Sequence, residues 1–190
     1  TILEDTIMKM FKKLMAIALA GVMALAILTG CGSTLNEKEL IKQMNDQLTV
    51  NSMTDSSYKG FKEFKADKEM DAKAATIAKK VAEKAKTQAE IDTVLASAEM
   101  KEIVLGKDDT NVYMISYVKS VSFGSKYYKT NKDMVDLGVI ENNATRYYDS
   151  TALVGRETKD AVVGVGFADA TVGDSVYTIV VMKVPTQKKA

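Results

Sequence analysis

Ala161-Val162-Val163-Gly164-Val165-Gly166-Phe167-Ala168 is the stretch on which the fold turns, together with Ser175-Val176-Tyr177-Thr178-Ile179-Val180-Val181-Met182. Both are rich in Val or Ile, β-branched residues that suit a pleated surface. A polar segment from Asp169 to Asp174, containing Gly173, separates them. The pattern predicts a β-hairpin. Gly164 and Gly166 are two apart, so they share one face of their strand, and a face without Cβ atoms lets another element reach the backbone. A phosphate-binding glycine loop is the competing reading. It needs a helix start directly after the glycines, and none follows.

Working back from the hairpin, Asn142-Asn143 predicts the cap of a short helix through Tyr147 and Tyr148 to Val154, stopped at Gly155. Asn131 predicts another, through Met134 and Leu137 to Gly138. Phe123-Gly124-Ser125-Lys126 reads as a turn, with Tyr127 to Lys129 pairing back on a strand from Val112 to Val121. Gly106 to Asp109 is a turn signal. The paired Asp108 and Asp109 lack the alternating ligands of a calcium loop. Thr87-Gln88-Ala89-Glu90 is a capping box. It opens a helix to about Ala98, with Ile91, Val94 and Leu95 inward.

The clearest helix follows Asp67. Met70, Ala74, Ile77, Ala78, Val81 and Ala85 recur at helical spacing. That stripe is mostly alanine, so a second element must come close to it, and the lysines opposite read as a solvated face. Gly60 to Phe64 reads as a short helical turn that pins two aromatics, and Asn51 to Ser57 as a polar loop. Asn36 with Glu39 predicts a capped helix from Glu37 to about Leu48, with Leu40, Ile41, Met44 and Leu48 on one face. Pro185 ends the domain.

The head of the chain has a different character. Met8-Lys9-Met10-Phe11-Lys12-Lys13 is basic, Leu14 to Leu28 is apolar, and small residues close the run at Leu28-Thr29-Gly30-Cys31. This is the layout of a secretory signal. Glu4 and Asp5 are out of place in such a leader, so translation is expected to start at Met8 or Met10. The leader is set aside from the fold. An uncleaved membrane helix ranks second, because Leu14 to Leu28 is short of the roughly twenty apolar residues a bilayer requires. The last four residues resemble the lipobox of bacterial lipoproteins, with Cys31 at the lipidated position. A buried free thiol is the ordinary fate of a lone cysteine, but the position of Cys31 overrides it. The resemblance implies a diacylglycerol on its sulfur and removal of the peptide before it. Two acyl chains hold a protein on a membrane where one does not.

Composition bounds the chemistry. From Cys31 onward, acidic and basic residues balance at 23 each, which argues against nucleic acid or a polybasic membrane patch as partner and leaves no strong field to steer a charged substrate. The chain has no histidine and one cysteine. No Ser-His-Asp or Cys-His constellation and no histidine-bearing metal site is possible. Carboxylates, Lys, Tyr, Ser and Thr remain.

Three stretches resemble the CAP superfamily of cysteine-rich secretory proteins, venom allergens and plant pathogenesis-related proteins. Phe64 to Ala75 is similar to the family's first core helix, Tyr147-Tyr148-Asp149-Ser150 to its aromatic-x-x-Ser turn, and Val163 to Ala168 with the strand to Met182 to its Gly-Val-Gly strand and last hairpin. The likeness spans most of Tyr58 to Lys183, with 101–137 unmatched. It implies an α+β fold: a three-layer α-β-α sandwich whose antiparallel sheet ends in a C-terminal hairpin flanked by helices. It also implies a pocket near Tyr147, Ser150 and Leu153. Leu153 stands where the family's second histidine belongs, so the metal pocket is lost and no cofactor is expected. Glu141-Asn142 is similar to the family's Glu-Asn pair but lies too close to Tyr147 to carry its role.

The expected organisation is a leader over 1–30, a lipidated tether over 31–35, one globular domain over 36–185 and a tail over 186–190. The expected function is a non-catalytic binding domain, anchored by Cys31 on the extracytoplasmic face of the membrane, probing cell-wall material, a small apolar ligand or a protein. The style of the signal points to a Gram-positive surface. Two alternatives stand beside it. One is a carboxylate-dependent wall hydrolase using Glu141, Asp149 or Glu157, which requires two carboxyls about 5–9.5 Å apart. The other is an assembly lipoprotein presenting its tyrosines between Tyr113 and Tyr148.

Overall fold

The structure, a computed structural model, describes residues 13–14, 37–105, 110–119, 146–147 and 156–188. In chain order they form α1 (Glu37–Thr54), a 3₁₀ turn (Ser56–Tyr58), β1 (Phe61–Ala66), α2 (Lys68–Lys84), α3 (Gln88–Leu95) and α4 (Ala98–Leu105). Then come β2 (Asn111–Lys119), β3 (Arg146–Tyr147), β4 (Arg156–Glu157), β5 (Ala161–Val172), β6 (Ser175–Pro185) and β7 (Gln187–Lys188). The fold is α+β and has the expected C-terminal hairpin. Strand order in the main sheet is β1-β5-β6-β2-β3, and β4 pairs with β7 apart from it.

The hairpin is longer and tighter than its sequence suggests. Val172 pairs with Ser175, so Gly173-Asp174 alone makes the turn. Gly173 takes φ 59° at the first central position, where a type II′ turn favours glycine. The polar residues Asp169 and Thr171 belong to the strand, because β5 is exposed on one face there.

The largest departure concerns Phe61 to Ala66. These residues form a strand parallel to β5, not a helical turn, so the sheet is mixed. An irregularity between Phe61 and Glu63 puts Phe61 and Phe64 three apart yet both buried, which imitates a helical period. Helix α1 also outlasts its expected end. Gln47 bonds Asn51, and the hydroxyls of Ser52 and Thr54 donate to Thr49 and Asn51 carbonyls, so the polar run folds onto the helix instead of leaving it. The helix expected from Thr87 to about Ala98 ends at Leu95, and after Ala96-Ser97 a further helix that was not expected, Ala98–Leu105, begins with Ser97 Oγ accepting from the Met100 amide at 3.4 Å. Arg146–Tyr147 pairs with β2 where a helix was expected. Gln187–Lys188, read as tail, pairs with β4. The turns and short helices expected at 106–109 and 123–138 lie outside the described residues.

Helix α2 sits on the face of β5 that carries Gly164 and Gly166. Its stripe of Met70, Ala74, Ile77, Ala78 and Val81 packs with Tyr113, Ile115 and Tyr117 of β2 and Tyr177, Ile179 and Val181 of β6. Ile91, Leu95, Met100 and Val104 bring α3 and α4 into the same core. The opposite face is buried too, through Val112, Met114, Val163, Val165, Val180, Met182 and Val184. Two residues ahead of α1 are described: Leu14 is buried, and Lys13 pairs with Asp55, its Nζ 5.9 Å from the centre of the Tyr58 ring.

The lysines of α2 are only partly a solvated face. Lys80 and Lys84 both pair with Glu99 of α4. Lys73 Nζ donates to the carbonyls of Ile103 (3.2 Å) and Val104 (2.6 Å) at the C-terminal end of α4, and lies 5.1 Å from the centre of the Tyr113 ring. A cation belongs at a helix C-terminus.

A Cβ on Gly166 would stand 2.1 Å from the Met70 carbonyl carbon and 2.2 Å from the Asp71 nitrogen. Both are backbone atoms that cannot rotate away. Gly166→Ala is expected to lower stability by about 3 kcal/mol or prevent folding, since overpacking costs roughly 1–3 kcal/mol even where side chains can yield. Urea unfolding followed by circular dichroism checks this.

Candidate functional site

Among the described residues, a set of interacting charged groups lies where the first turn of α2 crosses β5. Asp67 has extended backbone (φ −130°) and caps the helix, accepting from the amides of Glu69 (2.9 Å) and Met70 (3.3 Å). Its other oxygen meets Lys183 Nζ of β6 at 2.9 Å, and Glu69 meets the same ammonium at 3.0 Å. A Cβ on Gly164 would stand 2.6 Å from Asp67 Oδ2, so the bare strand is what admits this carboxylate. Four residues on, Asp71 Oδ1 accepts the Phe167 amide of β5 at 3.3 Å.

These carboxyls are tuned in opposite directions. Burial works to raise the Asp67 pKa, but the bond from Lys183 and the two helix amides outweigh it and hold the group below its usual range. Lys183 is likewise partly buried, and its two carboxylate partners still lift it. Asp71 is raised, by burial first and by the charge of Asp67 second. Glu37, the first residue of α1, is raised by burial and then by Asp71, and its Oε1 is buried without a hydrogen-bond partner. The set is a clasp: it fastens helix to sheet and leaves protonation of Asp71 and Glu37 easier than usual. Among the described residues no group of three or more carboxylate, thiol or imidazole side chains could hold a metal ion.

The residues singled out by sequence are mostly elsewhere. Tyr147 is in β3, paired with Met114. Ser150, Leu153, Glu141, Asp149 and Cys31 lie outside the described residues. Glu157 is in β4, where Gln187 Nε2 donates to its Oε1 at 3.2 Å. Tyr113 and Tyr117 are buried, which removes both from any partner surface. Tyr117 donates to Asp92 at 3.2 Å, and burial followed by the Asp92 charge pushes its pKa up to about 12. Asp67 was legible as a cap. Lys183 and Asp71 were not, because their partners are about a hundred positions away in sequence.

Comparison with known proteins gives no match among family models, curated proteins or solved structures.

Asp67 and Asp71 should give opposite pH signatures. A depressed carboxyl stabilises above its unfolded pKa and loses that contribution as pH falls through its folded value. Asp67→Asn keeps a capping oxygen and loses the charge, so it should cost roughly 1 kcal/mol at neutral pH. The gap to the parent should close only below about pH 4. A raised carboxyl does the reverse. Asp71→Asn should be neutral or stabilising at neutral pH, with the advantage fading as acidification protonates the parent. Thermal melts of the three proteins between pH 7 and pH 3 check both signs.

Proposed function

We propose that this protein is a lipid-anchored, extracytoplasmic, non-catalytic binding domain on a CAP-like scaffold that lacks the histidine metal pocket. The observation that carries the reading is the run from Met8 to Cys31: basic head, short apolar middle, and Leu28-Thr29-Gly30-Cys31 at its end. The apolar middle, Leu14 to Leu28, is shorter than a bilayer-spanning helix requires.

Support for the CAP-like part comes from the packing of the alanine-striped helix on the Gly164–Gly166 strand. Those are two of the three stretches that carry the resemblance. The absence of histidine from the whole sequence supports the non-catalytic part. Asp67, beside the sheet, is committed to a cap and an ion pair, which makes it a poor proton donor.

Cys31→Ser is expected to move the protein from the membrane pellet to the soluble extracytoplasmic fraction, and the parent should carry the mass of an acylated N-terminus. A variant that stays in the pellet with its leader attached would favour the spanning helix. Titration with zinc or manganese is expected to leave the melting temperature of the anchored protein unchanged. A specific site would add about 2.7 kcal/mol at a hundredfold excess over its Kd.

A further inference from the structure

β5 outruns its neighbour. The pairing with β1 stops at Ala66 and Val165, whereas β5 continues to Val172. Hydrogen-bonding direction alternates along an antiparallel strand. Phe167 donates away from β6, to Asp71, so the backbone groups of Asp169 and Thr171 also point away from β6. Among the described residues these groups have no strand or side chain to pair with, and both residues are exposed. Elsewhere the same margin is filled. Asn45 of α1 bonds the Phe64 carbonyl at 2.9 Å and the Phe64 amide at 2.7 Å on the free side of β1, and Asp71 takes Phe167. Among the described residues, the stretch from Asp169 to Thr171 is left as an open strand edge.

We propose that this edge binds an extended peptide segment bearing basic side chains, which adds as a strand beside β5. Backbone pairing would come from Asp169 and Thr171. The charge preference comes from the acids along the margin. Asp71 stands at one end, exposed Asp174 at the hairpin tip, and Asp169 between them with one oxygen engaged by Thr178 at 2.7 Å. Lys183 is spent on Asp67 and Glu69. Lys86 meets the tip through its carbonyl, 3.3 Å from where a Gly173 Cβ would stand. A second copy of β5 is the less suitable occupant, because it would gather both sets of carboxylates on one seam. The inference deepens the binding-domain reading by naming a partner class, and it does not depend on the anchor.

The test uses the full-length protein in detergent and two fluorescein-labelled peptides of about eight residues, one alternating lysine with threonine, the other glutamate with threonine. Anisotropy should show binding of the lysine peptide, with the glutamate peptide weaker by roughly tenfold. Thr171→Pro removes only an outward amide, so the β5–β6 ladder stays intact while the edge is blocked. It should weaken binding about tenfold, the worth of one or two lost hydrogen bonds. Asp169→Lys should weaken the lysine peptide and relieve the glutamate one. If Thr171→Pro melts early, the same reading comes from the parent protein and a lysine peptide methylated on its backbone nitrogens, which should not bind. Failure to bind the lysine peptide, equal binding of both peptides, or a parent that sediments as a dimer disrupted by Thr171→Pro would each overturn the proposal. None of these results bears on the fractionation of Cys31→Ser.

Discussion

The closeness of α2 to β5 is the constraint from which the rest of the domain follows. Gly166 lies under the peptide between Met70 and Asp71, and Gly164 under the Asp67 carboxylate. No side chain fits in either place. Because the helix comes so near, Ala74 and Ala78 suffice between Met70, Ile77 and Val81 on its buried stripe, and its first turn reaches the strand itself. The Asp67 amide donates to the Val165 carbonyl and Asp71 accepts from Phe167, so the helix takes over hydrogen bonds where β1 runs out.

The margins of the sheet are handled by side chains more than by strands. An amide on α1 imitates a neighbouring strand at Phe64, and a carboxylate on α2 does so at Phe167. Natural sheets protect open edges in such ways because an unpaired edge recruits other chains. Here the protection stops short of the hairpin tip.

Much of this was readable from residues alone where the signal was local. Asp67 announces a helix start, runs rich in Val or Ile on either side of a Gly173 turn announce β5 and β6, and the paired glycines announce a close neighbour. What escaped was long-range or irregular. β1 carries two phenylalanines at helical spacing because its ladder is irregular. Polar residues from Asn51 to Thr54 stay helical by bonding back to their own turn. Lys73 looks like any solvated lysine until α4 ends beside it. The clasp at the head of α2 joins Asp67 and Asp71 to Lys183 and Phe167, and no local pattern encodes such a pairing. The candidate pocket residues Ser150 and Leu153 have no described surroundings, so the pocket rests on resemblance.

The parallel ladder between β1 and β5 has a consequence for how the molecule is made. Phe61 pairs with Ala161, a hundred positions later. A chain that emerges amino end first therefore has no partner for β1 until the residues from Ala161 onward have appeared. Contacts so distant in sequence slow assembly. During that wait Phe61, Phe64 and the alanine stripe lack the sheet that covers them, and a nascent molecule is at its stickiest just before β5 and β6 arrive.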